Sequence, residues 1–453
     1  MRHSRYFLLA LGCAKNTVDS EGMAQLLNQE GYLGVTAPEQ ADVLVVNTCG
    51  FIGPAREESL DALRELAQEK RGDQVLIAAG CLSQFWGERL AKQVPGLDGI
   101  IGTRRWMDIV QVVEQVRRRR RPEPLYHLPD EALTVGQDER GTLRAAIQGA
   151  SAYLKIADGC RRPCAFCSIP LIKGSAVSRP PAVILSEVAY LAQVGIRELI
   201  LIAQDTTDYG HDLGVKDGLA GLLEEIVAEA PTIDWIRLMY AYPGYVTPRL
   251  METMARHEQI VKYLDIPLQH AHPATLRRMR RPANVDWVYR TVANLRETMP
   301  GIALRTTFIV GYPGETEAEF QTLLDFTAEM AFDRVGVFTY SHEPGTPSAE
   351  LPGAVPEEVK VERRERLMAL QQGISLARNQ SFVGQTLDVL VEGEGDGLSV
   401  GRSYRDAPEV DGLVLIDGQV PAGEIVPVRI TGGMEYDLSG TVEVHQPQII
   451  HLE

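Results

Sequence analysis

The chain has 453 residues, 45% of them hydrophobic and 23% charged, which suits a globular protein of about three domains. Its formal net charge of −16 speaks against nucleic acid as the main partner, because such proteins present a basic face. No apolar run approaches the eighteen or so residues of a membrane span, so a cytoplasmic protein without a membrane partner is expected.

The first segment runs to about residue 116. "YFLLALG" (6–12), "DVLVVNT" (42–48) and "QVLIAAG" (74–80) are short apolar runs without alternation, as strands buried on both faces read. Between the first two, Met23, Leu26 and Leu27 give a helical stripe, with Ser20 as the expected N-cap and Gly31 as the stop. Leu60, Leu63 and Leu66 mark a second helix near 55–70. Strand–helix alternation predicts a doubly wound parallel sheet. Residues 117–150, with the basic run Arg117 to Arg121 followed by prolines, read as a solvated linker.

The second segment, 151–375, offers six strands at 152–157, 198–203, 235–240, 263–268, 303–310 and 334–340. Helical patterns such as "AVILSEVAYLAQV" and "EAEFQTLLDFTAEM" separate them. Six β/α units predict a partial barrel with its chemistry at the carboxyl ends of the strands. The third segment, 381–453, has glycine-split strands "TLDVLVEG", "GLVLIDG", "IVPVRITGG" and "SGTVEVHQ", which predict a small β-barrel.

Six cysteines in a chain expected in the cytosol argue for metal or catalytic use over disulfides, although a lone cysteine is often only a small buried hydrophobe. Cys160, Cys164 and Cys167 stand C-x3-C-x2-C directly after the first strand of the barrel. Cys13, Cys49 and Cys81 each follow one strand of the first sheet, where open parallel sheets bind ligands. Two three-thiolate sets result. Three thiolates leave one iron of a four-iron cubane without a protein ligand, open to a small chelating molecule. A zinc knuckle is the alternative for the closely spaced triplet, and it needs a fourth ligand.

The C-x3-C-x2-C triplet, with Phe166 before its last cysteine, resembles the signature of radical S-adenosylmethionine enzymes. The resemblance implies a cluster that reduces the sulfonium, forming a 5′-deoxyadenosyl radical that abstracts hydrogen from an unactivated carbon. "FIVGYPGET" (308–316) is similar to the superfamily's cofactor-contacting turn, which implies contacts at Gly311 and Gly314. Gln204 and Asp205, after the second strand, and Gln269, after the fourth, are further candidates for cofactor or substrate contact. Each could equally cap a loop. No catalytic residue beyond the cluster ligands is singled out.

Both triplets in this order, ahead of a C-terminal β-barrel, resemble the methylthiotransferases over essentially the whole chain. "LGCAKNTVDSE", "VVNTCGFI" and "AAGCLSQ" match that family's N-terminal domain, and the final segment resembles a TRAM domain. The resemblance implies two 4Fe–4S clusters, one on Cys13, Cys49 and Cys81. It also implies S-adenosylmethionine as both methyl donor and radical source, with an external electron donor and sulfur source. One branch of the family modifies an adenosine in tRNA; the other modifies the β-carbon of an aspartate in small-subunit ribosomal protein twelve. "AQDTTDYG", "VSRP" (177–180) and "GRSYRDAPEVDG" are similar to the ribosomal-protein branch, while Asp158 stands where relatives often carry glutamate. Residues 381–453 hold thirteen acids against Arg402, Arg405 and Arg429. Such a barrel suits a basic protein better than phosphates, which leaves nucleic acid an indirect partner through the ribosome. The target is itself an acid, so a local cation is expected from Arg179 or from the arginines of "GRSYRD". Outside this family, a two-cluster electron carrier without a reaction of its own is the other reading.

Overall fold

The structure is a computed structural model, and it describes residues 4–118, 123–129 and 140–443. Six parallel strands form the first sheet: β1 (Arg5–Ala10), β2 (Leu33–Gly34), β3 (Val43–Thr48), β4 (Val75–Gly80), β5 (Gly99–Gly102) and β6 (Leu125–His127). Their order is β2-β1-β3-β4-β5-β6, so the winding reverses between β1 and β3. Every residue of β3 and β4 is buried because each face carries a helical layer. Val43, Val45, Ile77 and Ala79 pack on Met23, Leu27, Trp106 and Val113. Leu44, Val46, Leu76 and Ala78 pack on Leu60, Leu63 and Leu66 from the other side.

The first helix, α1, spans Ala14–Gln29 and starts seven residues earlier than a Ser20 cap would allow. Cys13 is its N-cap instead. Ser20 lies buried inside the helix, donating to the Asn16 carbonyl at 3.0 Å and accepting from Asn47 Nδ2 at 2.8 Å. Serine hydroxyls back-bond to the preceding turn in this way, so a serine in a helical pattern need not mark its start.

The second sheet adds β7 (Ala145–Gln148) and β8 (Ser151–Lys155). A short ribbon follows, β9 (Ala157–Asp158) paired with β10 (Val177–Ser178). The sheet then continues with β11 (Glu198–Ile202), β12 (Trp235–Leu238), β13 (Ile260–Asp265), β14 (Ala303–Val310) and β15 (Arg334–Thr339). The order is β15-β14-β13-β12-β11-β8-β7: six parallel strands, as the six-unit reading expects, and an antiparallel edge strand that it does not. The stretch read as a linker thus supplies an edge strand to each sheet, β6 and β7. Arg117 and Arg118 end the helix Ile109–Arg118, and Arg119 to Arg121 lie outside the described residues.

The helix Glu317–Met330 begins at a capping box formed by Thr316 and Glu319. The helix Glu357–Gln380 runs from the second sheet to the third unit. There β16 (Thr386–Gly395), β17 (Leu398–Ser403), β18 (Val414–Asp417), β19 (Ile425–Gly433) and β20 (Leu438–Val442) close a barrel in the order β16-β17-β18-β20-β19. The strand β17 falls in "LSVGRS", where serine, glycine and arginine hide the alternation. Among the described residues, no helix is long and apolar enough to cross a membrane.

Candidate functional site

The carboxyl ends of β1, β3 and β4 carry Cys13, Cys49 and Cys81, and the first two flank the point where the winding reverses, which is where open α/β sheets bind ligands. Asn16 ties the loops together: its Nδ2 donates to the carbonyls of Leu11 at 2.7 Å and of Asn47 and Thr48 at 3.2 Å each. Asn47 Nδ2 returns a bond to the Asn16 carbonyl at 2.9 Å. Cys49 is held by Ser59, whose hydroxyl accepts from its N–H at 2.9 Å. Gly80 precedes Cys81 with φ +95°, and a Cβ there would lie 2.2 Å from Asn47 Oδ1, so only glycine turns the chain here.

The second triplet sits in the loop after β9. Gly159 has φ +74°, with the Ser175 carbonyl oxygen 2.1 Å from where its Cβ would be. The N–H of Cys160 donates to the Gly174 carbonyl at 3.0 Å. Gly-Cys therefore occurs before three of the six thiols (12–13, 80–81, 159–160), a repeated dipeptide that composition and strand reading passed over.

The two triplets, 79 residues apart at their nearest, meet. A single cavity of about 410 Å³ is lined by all six cysteines together with Lys15, Gln204, Asp205, Tyr240, Tyr242, Gln269 and Arg281. All six thiols are unpaired. Burial pushes Cys81 and Cys167 up to about 12 and Cys160 up to about 11. Burial also opposes ionisation of Cys13, yet Lys15 and the Asn16 amide outweigh it and hold that thiol below its ordinary value.

Gln204 and Gln269 both line the cavity, and each leaves its side-chain oxygen buried without a hydrogen-bond partner among the described residues. Buried acceptors are nearly always satisfied, so two orphans facing one cavity fit a ligand that brings donors. Gln269 and Tyr240 also adopt left-handed backbone, φ +75° and +62°, a conformation that is strained for a non-glycine residue. Arg162 pairs with Asp205 at 2.6 Å, and Arg281 donates to Cys164 Sγ at 3.5 Å and to the Pro267 carbonyl. These groups fit an iron–sulfur cluster with a polar organic ligand beside it.

Gly311 and Gly314, however, do not line the cavity. A Cβ on Gly311 would meet Lys360 Cγ at 2.2 Å, and one on Gly314 would face Arg278 at 3.7 Å. Glycine at 311 makes room for the helix Glu357–Gln380, a partner invisible from the local motif. The three expected cations are already paired within the fold. Arg179 is buried and bonded to Glu187 at 2.6 Å, Arg402 to Glu198 at 2.5 Å, and Arg405 to Asp333 at 3.3 Å.

Beneath the cavity, Asp19 of α1 meets Lys155 and Lys173 of the second unit, and Asp158 stands 2.9 Å from Lys173. All four are buried. Burial opposes the charge on Lys173, but Asp158 and Asp19 prevail and raise its pKa well above the ordinary lysine value. With Arg56–Glu343 and the 2.9 Å bond from Arg104 Nε to the Ile172 carbonyl, these pairs dock the first unit so that both triplets face one space.

Comparison with known proteins agrees with this division. Residues 5–102 match the model of "Uncharacterized protein family UPF0004", residues 154–327 the radical SAM superfamily and residues 383–442 the TRAM domain. The chain is 51% identical to the ribosomal protein uS12 methylthiotransferase RimO of Chloroflexus aurantiacus, covering 96% of this chain and 99% of that protein. It is 51% identical to the Roseiflexus protein of the same name, over 96% of each. Among solved structures, the radical S-adenosylmethionine methyltransferase TsrM from Kitasatospora setae, with cobalamin and a 4Fe–4S cluster bound, superposes with TM-score 0.54. That alignment, 14% identical, covers 88% of this chain and 81% of the other and speaks to the fold alone. An electron carrier or a zinc knuckle does not account for such relatives. With half its residues shared across nearly the full length of both chains, the protein belongs to the ribosomal protein uS12 methylthiotransferase family and is a radical S-adenosylmethionine methylthiotransferase that uses iron–sulfur clusters.

Proposed function

We propose that the protein inserts sulfur and a methyl group at the β-carbon of an aspartate in ribosomal protein uS12. One observation carries this reading: six thiols from two folding units line a single cavity, so two clusters would act on one substrate without transfer between distant sites. Cys160, Cys164 and Cys167 would hold one cluster and Cys13, Cys49 and Cys81 the other. Bound with S-adenosylmethionine, the first supplies the one-electron chemistry that removes hydrogen from an unactivated carbon. The chain's own residues bind and orient: the free oxygens of Gln204 and Gln269 accept from the cofactor, while Phe51, Phe166 and Phe338 give the cavity apolar lining.

The barrel supports a basic protein as substrate over tRNA. Asp388, Glu394, Asp396, Glu409, Asp417, Glu424 and Glu435 are exposed, whereas two of its three arginines are buried in ion pairs. The same reading assigns the protein to the cytoplasm, where six unpaired thiols stay reduced and where an electron donor and a sulfur source meet ribosomal substrates. Mass spectrometry of uS12 from cells with and without the gene tests it. A methylthio mass on the aspartate peptide that vanishes with the gene is the expected result, and an unchanged peptide overturns the reading.

A further inference from the structure

The reacting residue of the proposed substrate is an acid, and it must enter a cavity next to an acidic barrel. A cation has to receive it, and Arg179, Arg402 and Arg405 are already committed to Glu187, Glu198 and Asp333. Four basic side chains line the cavity itself: Lys15, Arg162, Lys173 and Arg281. Arg162 is neutralised by Asp205, and Lys173 by Asp19 and Asp158. Arg281 is engaged by the Pro267 carbonyl and Cys164. Lys15 differs. Among the described residues no carboxylate lies within ion-pair distance of it, and its ammonium rests 3.3 Å from the centroid of the Tyr240 ring.

Position as well as charge sets Lys15 apart. It follows Cys13 by two residues, in the first turn of α1, so it belongs to the thiol set opposite the C-x3-C-x2-C loop. Arg162 belongs to that loop, its backbone N–H donating to Cys160 Sγ, and the Arg281 guanidinium donates to Cys164 Sγ, so both cations sit on the side where a cofactor at that loop would bind. Tyr240, which carries the lysine, comes from the second sheet just beyond β12 and holds a strained backbone to present its ring. A ring under an ammonium fixes its direction while leaving donors free, because the attraction is to the face and uses no lone pair. In a cavity walled by Phe51, Phe166 and Phe338, a carboxylate meeting that ammonium gains more than it would in water.

We propose that Lys15, held over Tyr240, is the residue that receives the side-chain carboxylate of the substrate aspartate and selects it over an uncharged side chain. This rests on the substrate reading above. The carboxylate carbon is one bond from the β-carbon, so anchoring it at Lys15 presents that carbon where the two thiol sets converge. Lys15 acts here as a positioning and specificity residue.

The test uses the holo-protein under anaerobic conditions and two synthetic uS12 loop peptides, one with the target aspartate and one with asparagine in its place. Wild type is expected to bind the aspartate peptide about tenfold more tightly, and Lys15→Met to bring the two within about twofold. Lys15→Arg should restore part of the preference, which a packing role would not do. Iron content equal to wild type shows that a variant keeps its site, and Lys15→Gln decides the matter if Lys15→Met loses iron. A variant that still prefers aspartate overturns the assignment. So does one whose loss falls on the dissociation constant for S-adenosylmethionine, since Lys15 would then serve the cofactor's carboxylate. Wild type that binds neither peptide is a different failure: it overturns the substrate reading and this assignment with it.

Discussion

Glu198 shows how one residue can govern the stability of two units. It opens β11 with its carboxylate fully buried, 2.7 Å from Arg237 of the second sheet and 2.5 Å from Arg402 of the barrel. Burial alone would raise its pKa, but the two guanidiniums overcome that and hold it at about 2. The folded value lies below the unfolded value of about 4.3. Its contribution is therefore complete above that value and is lost as pH falls through about 2. Glu198→Gln leaves the buried Arg237 unbalanced and Arg402 with Glu392 alone, and should cost about 3–5 kcal/mol, read as a lower unfolding temperature at neutral pH. The gap between variant and wild type should close as pH drops from about 4 toward 2, and a constant gap would assign the loss to packing. At Gly80 the constraint is steric. Gly80→Ala drives a methyl into Asn47 and displaces Cys81, so iron per chain should fall by about half while the C-x3-C-x2-C loop keeps its share.

At the scale of elements, the two cluster sites are built from separate local structures. One uses three strand ends of a parallel sheet braced by Asn16 and Asn47; the other uses a single loop braced by Gly174 and Met279. Neither set depends on the other for its backbone hydrogen bonds, so they should be lost independently. Replacing Cys160, Cys164 and Cys167 with alanine should remove about half the iron and abolish S-adenosylmethionine cleavage. Replacing Cys13, Cys49 and Cys81 should remove a similar amount and leave cleavage in place. Iron per chain and 5′-deoxyadenosine release, measured on both variants, check this; full iron in either would refute the ligand assignment. The thiol positions were legible because each follows a recognisable strand. The short edge strands β6 and β7 were not, since their few residues lie among polar neighbours and are strands only because a sheet edge is there to pair with.

Over the whole molecule, the barrel is bonded into the central unit rather than tethered beside it. Besides Glu198–Arg402, Arg334 pairs with Asp406, and Tyr263 donates to Asp411 at 2.7 Å. Deleting residues 381–453 would strand these buried charges, so truncation is a poor probe of what the barrel binds. Its surface is the better one. Glu394, Asp396 and Asp417 are exposed at one end, where Leu398 pairs across to Gly395 on one side and Asp417 on the other. Changing these three to glutamine and asparagine should weaken uS12 binding and flatten its salt dependence, because steering between opposite charges fades as the screening length falls from about 10 Å at 0.1 M salt to about 3 Å at 1 M. Titrations of uS12 and tRNA at two salt concentrations read this out. Tighter binding of tRNA by the unmodified protein would reverse the choice of substrate.

Sequence by itself determined the three-part order, the parallel sheets and the six thiols at strand ends and in one loop, because burial periodicity and short-range spacing are properties of contiguous residues. Tertiary structure alone decided that both thiol sets open into one cavity, an outcome set by pairs such as Asp19 and Lys155, 136 residues apart. It also packed Lys360 against Gly311, and it consumed Arg179, Arg402 and Arg405 in buried pairs. Among the described residues Lys15 was left as a cavity cation with no carboxylate within ion-pair distance. A charged side chain is equally charged whether it is spent or free, and only the fold, by placing or withholding a counter-charge, settles which.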